Sequence, residues 1–309
     1  MGGTMMADLI ERQLPFAAPG RFWRGNLHMH STRSDGDHPV AEACAAYARE
    51  GYDFVAMTDH FLPDYGHPVT DTRACRTPNF VTLAGAELHQ GRLSNGEIWH
   101  IVAVGLPWDF GPPSDGETAE AICARAVAAG AFLAFAHPGW FALKPEDVRS
   151  LPMVHAVEVY NHGTEIGQMR GDGWYLADMA LNEGRRLTAI ATDDMHRLGA
   201  GFAGGWTMVK ADDVTVEAIL AALHAGKFYA SQGPMIHDIC VEGEALVIDC
   251  SPVVTAALVG SRARRANARI TEISSRVTLP LPQMQGGYFR VILRDRHGRH
   301  AWTNPVWLD

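Results

Sequence analysis

Leu27-His28-Met29-His30-Ser31-Thr32-Arg33-Ser34-Asp35-Gly36 is the stretch on which the reading of this chain turns. Its apolar run, Asn26 to Met29, carries histidines two residues apart, and on an extended strand such a pair leaves the same face. Two imidazoles so placed can share one cation. The Ser34-Asp35-Gly36 turn then adds a carboxylate beside the same strand end. Alone, an HxH is a weak sign, equally compatible with two ordinary polar residues closing a strand.

Outward from this segment the same device recurs. Phe54 to Thr58 runs into Asp59-His60, Val81 to Glu87 closes on Gly85-Ala86-Glu87, and His100 opens Ile101 to Leu106. Phe132 to Ala136 leads to His137-Pro138, and Leu187 to Ala191 leads to Asp193-Asp194-Met195-His196. Val157 to Tyr160 and Thr207 to Lys210 are further strands, while Val40 to Glu50, Glu117 to Ala129, Trp174 to Asn182 and Val214 to His224 have helical periodicity. This alternation predicts βα units around a parallel sheet or barrel, in which groups at the C-terminal strand ends converge on one mouth.

Past Gly233-Pro234 the texture becomes all-β. Strands are predicted at His237 to Val241, Leu246 to Cys250, Ala256 to Gly260, Ile270 to Ile273, Val277 to Leu281, Tyr288 to Arg294 and His300 to Trp307. Turns fall at Glu242-Gly243, Gln285-Gly286-Gly287 and Arg296-His297-Gly298, and the expectation is a small sandwich. The chain thus divides into an N-terminal extension (1–23), an α/β catalytic unit (24–235) and a β-domain (236–309).

Of the 309 residues, 47% are hydrophobic, enough for a substantial core. A formal charge of −9 without a long Lys/Arg run argues against a protein that grips long nucleic acid through phosphates, and favours a small substrate. The acidic start and the lack of a membrane-length apolar run predict a cytoplasmic protein. Five scattered cysteines without a CxxC predict reduced thiols. Fifteen histidines, thirteen of them before residue 238, require a chemical reason.

In order, the HxH with its downstream SDG, the TDH, the isolated Glu and His, the HP pair and the terminal DxH resemble the motifs of the polymerase and histidinol phosphatase (PHP) superfamily, over roughly residues 24 to 235. The resemblance implies a distorted (β/α)7 barrel holding two or three divalent metal ions. His28, His30, Glu87 and Asp194 would hold the first; Glu87 would bridge to a second bound by His100 and His137; Asp35, His60 and His196 would hold a third. Imidazole and carboxylate without thiolate suit Mn²⁺ or Zn²⁺, with Fe²⁺ a third option.

Around these ligands, Asp59 is read as orienting a ligand or a metal-bound water, against a plain turn role, and Arg33 and Arg197 as charge for phosphate oxygens, against ordinary solvation. Glu158 and Asn161 would support His137 or touch substrate, whereas His38 reads as a solvated loop residue and His67, His89 and His162 as surface or hydrogen-bonding residues. Phe61, Tyr65, Trp99, Trp140, Phe141 and Trp206 could form an apolar pocket or merely pack.

A metal cluster that generates hydroxide at neutral pH points to hydrolysis, most simply of a small phosphorylated metabolite or nucleotide. Two alternatives stand. The β-domain, ending in Arg299 to Leu308, resembles the carbaryl-type branch that cleaves carbamate and carboxyl esters, and a non-catalytic, metal-stabilised binding module uses the same ligands. The added β-domain speaks against histidinol phosphatase, and the negative charge against a proofreading exonuclease.

Overall fold

The structure, a computed structural model, describes residues 3–268, 270, 272–282, 284 and 286–309. Its first half is built on β1 (Arg21–Asn26), β2 (Phe54–Met57), β3 (His60–Phe61), β4 (Val81–Leu88), β5 (Ile101–Val104), β6 (Phe132–Phe135), β7 (Ala156–Asn161) and β8 (Thr188–Thr192). β9 (Trp206–Ala211) and β10 (Phe228–Ser231) follow. β2, β5 and β6 are short apolar runs buried on both faces, as strands covered by side chains within and by connecting segments without must be.

The chain order along the sheet is β10-β9-β1-β2-β4-β5-β6-β7-β8. The predicted βα alternation holds for β1 to β2 and for β6 through β8, which pair in parallel. It breaks at β5, antiparallel to both neighbours and reached from β4 without a helix, and again at the antiparallel β9 and β10. The sheet is therefore mixed, not a uniform parallel one. It rolls until β8 meets β9, where Thr207 Oγ1 accepts from Ala191 N (3.3 Å) and donates to Ala191 O (3.0 Å). One side chain here does the work of a backbone ladder.

Seven helices are described, α1 (Gly3–Gln13) to α7 (Val216–His224). Thr118 and Thr215 cap α3 (Ala119–Ala128) and α7 by accepting N–H groups from Ala121 and Ala218. No helix among the described residues is long and apolar enough to cross a membrane.

Beyond β10 come β11 (Ile236–Glu242), β12 (Ala245–Val253), β13 (Thr255–Gly260), β14 (Arg265–Ala268), β15 (Ser274–Pro280), β16 (Tyr288–Arg294), β17 (His300–Thr303) and β18 (Val306–Trp307). The predicted strand His300 to Trp307 is two strands, interrupted at Asn304-Pro305, because Pro cannot donate to a ladder and Asn304 bonds β8 and β10 instead. At Ile270 to Ile273 the described residues form no strand; Thr271 of that segment, and Gln285 of the expected turn, lie outside the described residues.

β11, β12 and β15 form a separate three-stranded sheet, while β14, β13, β16 and β17 extend the large one through β10, with Tyr229 opposite Thr303. The two sheets share a core that includes Leu246, Ile248, Leu258, Val291 and Leu293. Helix α1, which the sequence did not announce, packs Ile10 into that same core, and Leu14, directly after it, joins it there. All five cysteines are free thiols.

Candidate metal centre

The two histidines of the HxH do not sit inside a strand, as their spacing led one to expect: β1 ends at Asn26, and residues 27–30 continue extended between two loops. Met29 N donates to Thr58 Oγ1 (3.0 Å), Thr58 N to Met29 O (3.0 Å) and His30 N to Met195 O (2.9 Å), so the segment is held from both sides. The alternation survives: His28 and His30 are fully buried, with their Nε2 atoms 3.2 Å apart. Gly36 is required because a Cβ there would lie 2.6 Å from the carbonyl carbon of His30.

Glu87, at the end of β4, is the hub. Its Oε2 lies 2.7 Å from His60 Nδ1, 3.4 Å from His89 Nε2 and 3.7 Å from both His28 Nε2 and His30 Nε2. Its Oε1 lies 2.8 Å from His100 Nδ1 and 3.2 Å from His137 Nε2. Asp194 Oδ1 stands 3.0 and 3.2 Å from the Nε2 atoms of His30 and His28, and Asp35 Oδ1 3.3 and 3.4 Å from those of His60 and His196. All nine residues carried over by the resemblance thus meet in one place. His137 (φ 22°) and Asp194 (φ 51°) take left-handed backbone to do so, a cost of the kind met at functional sites.

The ligand atoms fall into overlapping sets whose members lie within 4.8 Å of one another: His28/His30/Glu87, His28/His137/Asp194, Glu87/His100/His137 and His30/Asp35/His60/His196. Four atoms here, His30 Nδ1, His137 Nδ1, Glu87 Oε2 and Asp194 Oδ1, are buried without a well-formed hydrogen bond. Buried carboxylate oxygens and the imidazole Nε2 atoms that crowd around them are costly unless something positive stands between them. The residues fit divalent metal ions.

Electrostatics sort the groups. Burial disfavours a charge on His60 and His196, yet Glu87 and Asp35 outweigh it at His60, raising it to about 10, and Asp35 and Asp194 raise His196 to about 9. Burial dominates at His30 and His100, lowered to about 3 and about 4. Glu87 and Asp194 are held well below the carboxylate range, the surrounding imidazoles overcoming burial.

Behind the ligands stands Glu158 of β7, fully buried. It lies 2.7 Å from His28 Nδ1 and accepts from Thr192 Oγ1 (2.7 Å), His137 N (2.7 Å) and Asn161 Nδ2 (2.9 Å). The support of His137 expected from Glu158 runs through backbone; its hold on His28 was not legible. Of the two roles read for His89, surface or hydrogen-bonding, the structure has the second: it is buried, 2.7 Å from His60 Nδ1, with Nδ1 2.9 Å from Trp99 O. Its position two residues after Glu87, on the same face of an extended segment, was the available signal.

Asp59 does not face the cluster. Its carboxylate accepts from Ser31 N (2.7 Å), Ser34 Oγ (2.8 Å) and Thr70 Oγ1 (2.6 Å), bracing the loop that presents Asp35. Asp193 also turns away, toward Asn26 and Tyr47. Arg33 is exposed and outside the mouth, whereas Arg197 lines it, paired with Asp37 at 3.3 Å. His38 bonds Glu42 and the Leu198 N–H, the loop role read for it. The mouth is a cavity of about 540 Å³ floored by the cluster and walled by Trp140, Thr164, Ile166 and Gly201. Of the other aromatic candidates, Tyr65 and Phe141 border the opening, Phe61 and Trp99 are buried in the core, and Trp206 stacks under Arg24 elsewhere.

No family model matches the chain. It is 49% identical over 37 residues, 12% of its length, to the DNA polymerase/3′-5′ exonuclease PolX of Bacillus subtilis, of which this match spans 6%. A two-domain protein from Bacteroides vulgatus, described as containing a predicted PHP-like metal-dependent phosphoesterase, superposes with a TM-score of 0.55 at 18% identity, over 91% of this chain and 94% of that one. An amidohydrolase from Chromobacterium violaceum aligns over 57% of this chain and 88% of its own, with 16% identity and a TM-score of 0.44. In fold, the chain is similar to a two-domain PHP-like protein.

Proposed function

We propose that the chain is a metal-dependent hydrolase that cleaves a small ester, a phosphoester in first place, using two or three divalent ions. The observation that carries this reading is the convergence of nine acidic and imidazole side chains, four of whose buried atoms lack a well-formed hydrogen bond, at the floor of an open cavity. When bound, divalent ions supply Lewis acidity toward an ester oxygen and lower the pKa of water.

The chain's own residues prepare that chemistry. Glu158 accepts a hydrogen bond from the Nδ1–H of His28, which turns the Nε2 lone pair toward Asp194 and Glu87. His89, donating Nδ1–H to Trp99 O, can accept from His60 Nδ1 and so aims His60 Nε2 toward Asp35. Arg197, at the rim, is placed to attract an anionic ester. We read the ions as Mn²⁺ or Zn²⁺, with Fe²⁺ next, the catalytic unit as 24–235, and the site of action as the cytoplasm.

A specific observation keeps carboxyl or carbamate esters as a second reading: among the described residues lining the mouth, Arg197 is the one Lys or Arg side chain. The test loads the protein with Mn²⁺ and compares phosphomonoesters, phosphodiesters, aryl acetates and aryl carbamates, with a His30→Ala/Asp194→Ala variant as control and metal content measured alongside. Phosphate release lost in the variant supports the first reading, and cleavage confined to acetates or carbamates supports the second. Turnover of neither class sinks both.

A further inference from the structure

The mouth continues into a second lobe of about 310 Å³. Asp35, His60, His100 and Trp140 border both cavities, so the metal-ligand cluster lies at their junction. The second lobe is otherwise lined by Leu62, Tyr65, Ile98, Phe141 and His89, with Glu97 at its edge. Tyr65 lies parallel to the His60 ring (centroids 6.3 Å apart, 20°), and Phe141 packs against His100 and His137. No Lys or Arg lines this lobe among the described residues, whereas Asp35 and Glu97 are acidic.

We infer that the substrate of the proposed hydrolase is an ester carrying an uncharged apolar substituent, which enters the second lobe while the ester itself sits over the cluster. The inference rests on the hydrolase reading for where the ester lies. Apolar walls gain by excluding water from a hydrocarbon or aryl group. Away from the cluster the lobe offers a second phosphate no Lys or Arg, and the Glu97 carboxylate would repel it.

Two phosphonates test this, because their C–P bonds are not esters and binding is read without turnover. The Mn²⁺-loaded protein is titrated with phenylphosphonate and with methylphosphonate by calorimetry, in the parent chain and in Ile98→Asp and Tyr65→Ala. Phenylphosphonate should bind about tenfold more tightly, the scale on which apolar pockets discriminate, and both substitutions should shrink that gap to about twofold. Equal binding of the two ligands, no binding of either, or a gap unchanged in both variants overturns the lobe assignment. Ester turnover on the same preparations separates the two readings: phenyl preference without turnover sinks the hydrolase and keeps the lobe as a ligand site, and turnover without preference does the reverse.

Discussion

Glu158 never reaches the cavity, yet a site of this kind depends on it. An imidazole whose far nitrogen is tied to a carboxylate is oriented and made more basic, and loss of such a partner commonly weakens metal binding 10–100-fold. Glu158→Gln keeps the shape and removes the charge facing His28. It should therefore weaken binding of the ion nearest His28 by about that factor, as measured by competition with a chelator; unchanged affinity would refute the role. The raised His60 and His196, at about 10 and about 9, hold protons at neutral pH in the metal-free protein. Metal uptake must expel them together with the proton of His28, which burial disfavours but Asp194, Glu158 and Glu87 hold well above the usual imidazole value, about three per chain near pH 7, and affinity should climb as pH rises toward 9. Calorimetry in buffers of different ionisation enthalpy counts these protons, and a count near zero would contradict the assignment. His60 and His196 have folded pKa values above their unfolded ones, so their contribution to metal-free stability is complete below about pH 6.5 and is lost as pH rises through 9 to 10. The melting temperature of the metal-free chain should accordingly fall over that interval.

At the scale of elements, the roll of the sheet depends on a junction without a ladder. Thr207 on β9 makes two bonds to Ala191 on β8, and that strand leads directly to Asp194. Thr207→Val preserves volume but leaves Ala191 N–H and C=O buried without this partner, a cost of about 1–3 kcal/mol. Urea unfolding should register it, and a change below a few tenths of a kcal/mol would show that the junction carries no stability. The same elements explain how far the site was legible. Five predicted strand ends and one strand start, at His100, carry or adjoin an acidic or imidazole residue in the sequence, and their convergence follows from strands that run side by side. The antiparallel β5 was not legible, because a run such as Ile101–Val104, buried on both faces, has no periodicity that encodes direction.

For the whole molecule, the large sheet runs without interruption from β8 to β14 through the β10–β17 pairing, so the two parts are joined by backbone hydrogen bonds as well as by side chains. Helix α1 closes the far end, with Leu14, just after it, 2% exposed in the C-terminal core, Gln13 Nε2 donating to Trp307 O (2.8 Å) and Trp307 N donating to Gln13 Oε1 (2.8 Å). Leu14→Ala should cost about 2–5 kcal/mol while leaving metal stoichiometry intact, since Leu14 belongs to a core separate from the cluster. Calorimetric unfolding is expected to show one transition moved down in temperature. A lone early transition, with the remainder unmoved, would mean that the β-part melts by itself.

What the sequence alone determined was the inventory: which side chains can ligate, their order, and the period-two spacing that sends His28 and His30 to one side. Those properties are local and survive any arrangement of strands. It also carried the change of texture near Gly233-Pro234 and most element boundaries to within a residue or two, because caps and apolar runs are local signals. Only the tertiary structure decided that Asp59 braces a loop, that His89 and Glu158 stand behind the ligands, that Arg33 faces solvent while Arg197 lines the mouth, and that α1 belongs to the C-terminal core. Each of these depends on which distant segment lies opposite, and burial against a partner more than a hundred residues away, as Glu158 has in His28, leaves no mark on the neighbouring residues from which a sequence is read.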